Sequence, residues 1–481
     1  MRGRFLPFML GWAMSGLGAV LLLFSGLAAL LSEPWLPFLG SGLLALVPGG
    51  LLLLGGQEHG EPSRRSSLLT VLLLWLLLPL FGSLPYVFGS LLGPLDALFE
   101  SMSGFTTTGA SVIADLGVVP RTMLLYRSFS QWLGGIGIII VFAAVFPQLG
   151  VAGRQMFMGE EPGPREDRLS PRLRFASAAL LSIYASLTVL AFLSYWLAGL
   201  DPLAAASYAF STLAAGGFAA TPDAAGTFDL PVFEFIALLF MLLAGTNFTL
   251  QYRAWHGRFN ELLRDVEFRT YLAVIIVASG LLLLLLRGSG TALDALFQVV
   301  SVITTTGYAA SGLEAWPQQA QLLLLALMFV GGSAGSAAGG IRIMRWLIVL
   351  RSSSKEVMRQ LHPRAALPLK IGHRLITPEV LRSTTAFFTL YVLLIAVSAF
   401  ALNLLGVDQV TSLSAALSSV GLNGFAFNGD GTLLDFATLP SAAKAILIFD
   451  MYAGRLEIVT LAVLLVPGFW RLPRRRNPAR G

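Results

Sequence analysis

Hydrophobic positions along this chain gather into long runs, at about 5–31, 35–55, 67–91, 122–149, 173–199, 231–255, 270–287, from 322 onward, 381–406 and 439–467. Each can cross a bilayer as a helix, which takes about 20 residues. The pattern therefore predicts ten transmembrane helices. Four further apolar segments are about half that length, and each lies between two long runs from the third run onward. A segment that enters a membrane as a short helix and returns as extended chain persists only where it lines a water-filled path. The first run superficially resembles a secretion signal. It is too long for one, and a second run follows Ser-Glu-Pro instead of a cleavage site.

The four short segments share a phrase: DALFESMSGFTTTGAS from Asp96, DPLAAASYAFSTLAAGGF from Asp201, DALFQVVSVITTTGY from Asp294 and DQVTSLSAALSSVGLNG from Asp408. Counted from the aspartate, thirteen residues lead to Gly109, Gly307 and Gly421, and the second copy has three more before Gly217. Such a repeat predicts four helix–pore-loop–helix units around one axis. The expected ion-lining stretches are Thr107, Thr108 and Gly109; Ala215, Gly216 and Gly217; Thr305, Thr306 and Gly307; and Ser419, Val420 and Gly421. Their carbonyl and hydroxyl oxygens can replace the hydration shell of a cation. Glycine permits the dihedrals that turn carbonyls inward. Each short helix aims its partly negative C-terminus at the axis, which favours a cation over an anion.

The fold class predicted is an all-α polytopic membrane protein. It divides into a leading two-helix unit (1–65) and four repeats (66–150, 151–264, 265–376 and 377–481), the last ending in a basic tail. Composition agrees, with 56% hydrophobic and only 12% charged residues among 481. The net charge of +6 would point to nucleic acid in a soluble protein. Here about 27 of the 32 Lys and Arg residues fall at the termini and in loops between repeats, so no nucleic-acid partner is expected. The same bias puts both termini in the cytoplasm and the pore loops outside. The terminal RRR is expected to meet anionic lipid head groups.

Two other features carry chemistry. The run that begins near Leu322 is interrupted by GGSAGSAAGG, that is Gly331, Gly332, Ser333, Ala334, Gly335, Ser336, two alanines, Gly339 and Gly340. Each glycine costs a helix about 1 kcal/mol relative to alanine. One reading is close helix packing through small residues. The other is an irregular loop below the filter that opens and closes the path. Arg455 lies inside the last run, where a charge is costly and functional by default. It either pairs with Asp450 or Glu457, or faces the pore as a fixed positive charge.

Cysteine is absent, which excludes disulfides and thiolate metal sites. His59, His256, His362 and His373 are far apart and lack ligand spacing. No phosphate-binding GxxxxGK[ST] loop occurs, and no enzyme activity and no organic cofactor are expected.

Together with the four loops, SQWLGGIGIII at 130–140, LLAGTNF at 242–248, FVGGSAGSAAGGIR at 329–342 and AGRLEI at 453–458 make the chain similar to the TrkH branch of the Trk/Ktr/HKT superfamily of cation transporters. The resemblance spans essentially the whole chain. It implies potassium uptake across the cytoplasmic (inner) membrane, with potassium as the transported ion. It further implies a homodimer with one pore per subunit, a cytoplasmic nucleotide-binding (TrkA-like) regulatory ring, 331–340 as the gate and Arg455 in the pore. The second and fourth loops depart by lacking the threonine run. The alternatives are a sodium or sodium/potassium transporter of the same fold and a secondary transporter with alternating access. The latter predicts inverted halves with paired interrupted spans, whereas only one interrupted span is expected here.

Overall fold

The computed structural model describes residues 5–56, 64–144, 169–221, 231–310, 312–362, 368–372 and 374–470. The charged loop at 151–168, the basic tail, His59 and His373 lie outside them. Among the described residues the protein is almost entirely helical, with one short antiparallel pairing of Lys370–Ile371 with Arg374–Leu375. Six helices are long and apolar enough to cross a membrane, or seven if one bent pair counts as a span. They include Phe5–Leu30, Leu36–Gly55, Val266–Leu286 and Pro378–Leu404, whose outer faces expose residues such as Ile276, Val277, Leu284 and Phe400. Exposed apolar faces on helices of this length are what lipid contact requires, because the backbone satisfies its own hydrogen bonds.

The leading pair packs through small residues. A side chain at Gly18 would strike Leu46 and the Gly42 carbonyl, and one at Gly49 would strike Ser15. This is the close approach that replaces hydrophobic driving force inside a bilayer. The turn between them then docks on the first repeat. The Glu33 carboxylate accepts from the Arg121 and Thr122 amides at 3.1 and 2.8 Å and from the Thr122 hydroxyl at 2.6 Å. It thereby caps the helix Arg121–Ala144 with a carboxylate from another unit.

The four short apolar segments are helices: Pro94–Phe105, Pro202–Leu213, Ala292–Ile303 and Gln409–Gly421. Their N-caps are Gly93, Asp201, Thr291 and Asp408. The aspartates that align in sequence thus serve two roles. Asp201 and Asp408 are caps, whereas Asp96 and Asp294 sit three positions into their helices, where Asp294 completes a capping box with Thr291. That offset of three accounts for the longer second loop.

The expectation of a single interrupted span is corrected. The run 231–255 consists of Pro231–Ala244 and Phe248–Trp255, bent by 103° at Gly245–Asn247. The third unit breaks between Gln318–Leu327 and Ile343–Leu361. The last run breaks between Ser441–Arg455 and Ile458–Ala462, where Glu457 takes a φ of +59°. Of the helices that follow the four short segments, only Arg121–Ala144 runs unbroken among the described residues.

Candidate ion pore

Each pore helix ends alike. Thr107, Ala215, Thr305 and Leu422 all adopt left-handed backbone, with φ of +56°, +53°, +56° and +61°. The amides one residue on, those of Thr108, Gly216, Thr306 and Asn423, donate to the carbonyls of Ser103, Ser211, Ser301 and Ser418 at 2.8–2.9 Å. This is the Schellman closure of a helix, built here on non-glycine residues, for which left-handed backbone costs of order 1 kcal/mol or more. Glycines then follow with positive φ: Gly109 (+89°), Gly217 (+70°), Gly307 (+82°) and Gly424 (+83°).

These glycines close a ring. A methyl group on Gly109 would overlap the Gly216 carbonyl oxygen, one on Gly217 the Thr306 oxygen, one on Gly307 the Asn423 oxygen, and one on Gly424 the Thr108 oxygen. Every loop therefore abuts the next in chain order, and the fourth returns to the first. No side chain fits between a glycine and its neighbour's carbonyl, so glycine is required both by dihedral and by space.

The register of the fourth loop differs from the sequence expectation. Gly421 ends its helix without left-handed backbone, and Ser419 and Val420 are helical. The triplet in line with Thr107–Thr108–Gly109 is Leu422–Asn423–Gly424. Counting from Asp408 as from Asp96 leads to Gly421, but Asp408 is an N-cap and Asp96 is not. The other three expected stretches occupy matching positions. Asn423 and Gly424 were missed, although a serine six residues before the glycine, at 103, 211, 301 and 418, marks all four frames.

Behind the ring the loops are braced differently. In the first and third, hydroxyl pairs Thr106–Thr108 and Thr304–Thr306 lie 2.8 Å apart. In the fourth, Gly421 leaves room for the Asn423 amide, which lies 3.1 Å from where a methyl group there would sit. In the second, Gln131 reaches in from a neighbouring helix. Further out, Glu100 accepts from the Val112 amide at 2.9 Å and is held by Arg127, whose Nε donates at 2.8 Å. Both are buried, and the Arg127 guanidinium also lies 4.3 Å from the Phe218 ring of the next loop. The third loop uses neutral Gln298 to accept from the Ala310 amide at 2.8 Å. At the mouth, Lys444 pairs with Asp96 at 2.8 Å. Arg121 pairs with Asp201 and holds that carboxyl below its usual range.

Beneath the ring lies the glycine-rich segment, and it is not helical. Gly331, Gly335 and Gly340 have φ of +74°, +75° and +71°. The bend at Gly245–Asn247 explains how this backbone is satisfied. Unwinding there frees the Gly245 and Ala244 carbonyls, which accept from Ser333 and Ala337 at 2.9 and 3.1 Å. Phe248 donates to Gly335 at 3.1 Å and the Asn247 amide to Ala334 at 2.6 Å. Glu267 accepts from the Ala334 amide at 2.6 Å, and the Thr305 hydroxyl accepts from Gly339 at 2.7 Å. The packing-motif reading of Gly331–Gly340 therefore fails, since the segment is an irregular strap tied to a broken helix and to the loop above it.

Arg455 is buried, with its guanidinium donating to the Ala337 carbonyl of that strap at 3.3 Å and to the Gly134 carbonyl at 3.0 Å. Neither carboxylate weighed as its partner is taken up by it. Asp450 accepts from Ser398 at 2.7 Å, and Glu457 lies 2.7 Å from Arg345 and 3.7 Å from Arg342. Among the described residues no carboxylate lies within ion-pair distance of Arg455.

Four matched re-entrant loops that close a ring of glycine–carbonyl contacts within a bundle of membrane-length helices define a membrane protein of the pore-loop class. The TrkH family profile, described as cation transport protein, matches residues 38–471. The chain belongs to that family. It is 37% identical over 427 residues to the Trk system potassium uptake protein TrkH of Escherichia coli, covering 86% of this chain and 88% of the relative. Against the protein of that name from Vibrio parahaemolyticus it is 37% identical over 451 residues, covering 90% and 92%. The crystal structure of the potassium transporter TrkH from Vibrio parahaemolyticus superposes with a TM-score of 0.89 at 34% identity, covering 98% of this chain and all of that one.

Proposed function

We propose that this protein carries potassium across the cytoplasmic membrane through the ring formed by its four pore loops. The observation that carries this reading is the ring itself: four matched turns whose glycines each meet the next loop's carbonyl, at the C-terminal ends of four pore helices. Such an arrangement presents oxygens and negative helix ends to a dehydrated cation. The ion-lining residues in this reading are Thr107–Gly109, Ala215–Gly217, Thr305–Gly307 and Leu422–Gly424. Potassium is substrate here, and the chain's own residues supply the whole path.

The strap at 331–340 serves as the gate in this reading, because it crosses directly below the third loop and is held by hydrogen bonds instead of a continuous helix. Arg455, bonded to the strap and lacking a countercharge, adds a fixed electrostatic barrier. The protein works as a homodimer with both termini in the cytoplasm, where a TrkA-like nucleotide-binding ring acts on the gate. That the relatives above are named as parts of a Trk system supports a partner of this kind.

Rubidium uptake into liposomes bearing the purified protein, with sodium as competitor, tests the proposal. Uptake that potassium suppresses at far lower concentration than sodium is the expected result. Equal suppression by both ions would replace potassium with a sodium or mixed-cation substrate, and no uptake by folded protein would overturn the pore reading.

A further inference from the structure

We propose that Gln131 is a positioning residue that determines cation specificity by holding the Gly216 carbonyl of the second loop. The inference rests on the pore reading above. Gln131 is fully buried, and its Nε2 donates to the Gly216 oxygen at 2.7 Å. That oxygen belongs to the set of four, Thr108, Gly216, Thr306 and Asn423, that face the preceding loop's glycine around the ring. Its orientation is fixed from the other end. The Ser211 hydroxyl and the Phe218 amide both donate to Gln131 Oε1, at 2.8 and 3.4 Å, so the NH₂ group must face Gly216.

The side chain fills a gap that the sequence leaves. Where the first and third loops carry paired threonines, the second has Ala214 and Gly216, which can form no hydroxyl pair. A methyl group on Gly216 would come within 2.5 Å of the Gln131 carboxamide carbon. Glycine at 216 and glutamine at 131 are therefore two halves of one solution. Gly216 is absent from the positive-φ residues, so its own dihedrals do not demand glycine. The matching position on the last helix, three before Gly454 as Gln131 is three before Gly134, holds apolar Met451. Gly134 and Gly454 match because each faces a pore-helix carbonyl, that of Phe105 and Val420 respectively. A donor occupies one of the carbonyl's two lone pairs, draws electron density from the oxygen and fixes its direction, so loop two offers a weaker and more fixed ligand than its counterparts.

The test uses the full chain in liposomes, reading the sodium-to-potassium permeability ratio from reversal potentials, with thermal unfolding in detergent alongside. Gln131→Ala frees the carbonyl, and the ratio is expected to change by about three- to tenfold, the value of one hydrogen bond. Gly216→Thr with Ala214→Thr should disable the protein while Gln131 is present, because the added side chain collides with it. In the Gln131→Ala background the same pair should bring the ratio back to within about twofold of the parent. Should Gln131→Ala fail to fold, Gln131→Glu decides, since it keeps the acceptor for Ser211 and Phe218 but turns an oxygen on Gly216. A folded variant with an unchanged ratio, or loss of folding in both, reduces Gln131 to packing and overturns the inference. Gly307→Ser separates the two possible failures. If it shifts the ratio and Gln131 variants do not, the inference alone falls; if neither shifts it, the filter reading falls.

Discussion

In each pore loop a left-handed glycine lies sixteen positions after the helix N-cap, Gly93 to Gly109, Asp201 to Gly217, Thr291 to Gly307 and Asp408 to Gly424. The helices that follow share no such rule. The first runs unbroken through its described residues, the second bends at Gly245–Asn247, the third dissolves into the 331–340 strap, and the fourth breaks at Glu457. In the function proposed above, the contrast reflects what each level must do. Surrounding a small ion with oxygens needs four equivalent positions, and a deviation in one loop degrades all of them. Blocking a path needs only one element that moves, and the other units are free to become its supports. The freed carbonyls of Ala244 and Gly245, which hold the strap, are an example.

Symmetry at the ring is a matter of backbone, not of the braces behind it, and the largest expected effect tests that distinction. Arg127→Leu leaves Glu100 buried and unpaired, which costs about 3–5 kcal/mol. Gln298→Leu in the equivalent place of the third loop leaves only the Ala310 amide unsatisfied, about 1–3 kcal/mol. Thermal unfolding in detergent should therefore rank the first variant well below the second. Equal losses would mean that the two loops are braced alike after all.

Next in size is Arg455, on the asymmetric level. At roughly 6 Å and an effective dielectric near 20, a guanidinium repels a passing monovalent cation by about 3 kcal/mol. Water in the path reduces this, so Arg455→Ala should raise rubidium flux about tenfold, while Arg455→Lys stays close to the parent. A folded Arg455→Ala protein that is no faster removes the barrier from the account.

Serine at Gly109 and at Gly307 probes the ring directly. Each meets a carbonyl of the next loop, so each should shift the sodium-to-potassium ratio, by about threefold if one carbonyl is displaced. Two shifts of similar size support equivalence of the loops, whereas a shift at one position only would break it.

The smallest effect joins the two levels. Thr305→Val removes the acceptor for the Gly339 amide, and a buried amide left without a partner costs about 1–3 kcal/mol. With the strap loosened at one end, resting flux should rise a few-fold without a change in the permeability ratio. The Thr305 carbonyl of the ring is untouched by this change, so a changed ratio would show that its side chain acts on the ring as well.

Much of the upper level is legible in the sequence because its constraints are local. A cap, three helical turns, a left-handed residue and a glycine recur with fixed spacing, and spacing survives in a one-dimensional reading. A count from Asp408 misplaces the fourth loop because Asp96 is the third residue of its helix whereas Asp408 is a cap. The lower level is less legible because its constraints are long-range. The lone glycine of LLAGTNF costs a helix little and reads as a span. It breaks only because the strap, about ninety residues later, accepts and donates the hydrogen bonds that the helix gives up. Gln131 likewise stands in an unremarkable stretch of helix, and its meaning depends on a glycine 85 residues away.

The ring closes in chain order, and that has a consequence for biogenesis. Gly424 meets the Thr108 carbonyl, and Lys444 pairs with Asp96, 348 residues apart. Since domains of a large chain acquire structure in the order of synthesis, the first three loops emerge before anything exists to seal the circle. Until the last quarter is inserted, the nascent protein holds an open crescent whose exposed carbonyls face a missing wall. Contacts of such sequence separation form late. A ribosome that stops short of Gly424 therefore leaves no leaky channel with relaxed selectivity, only a fragment for quality control to remove.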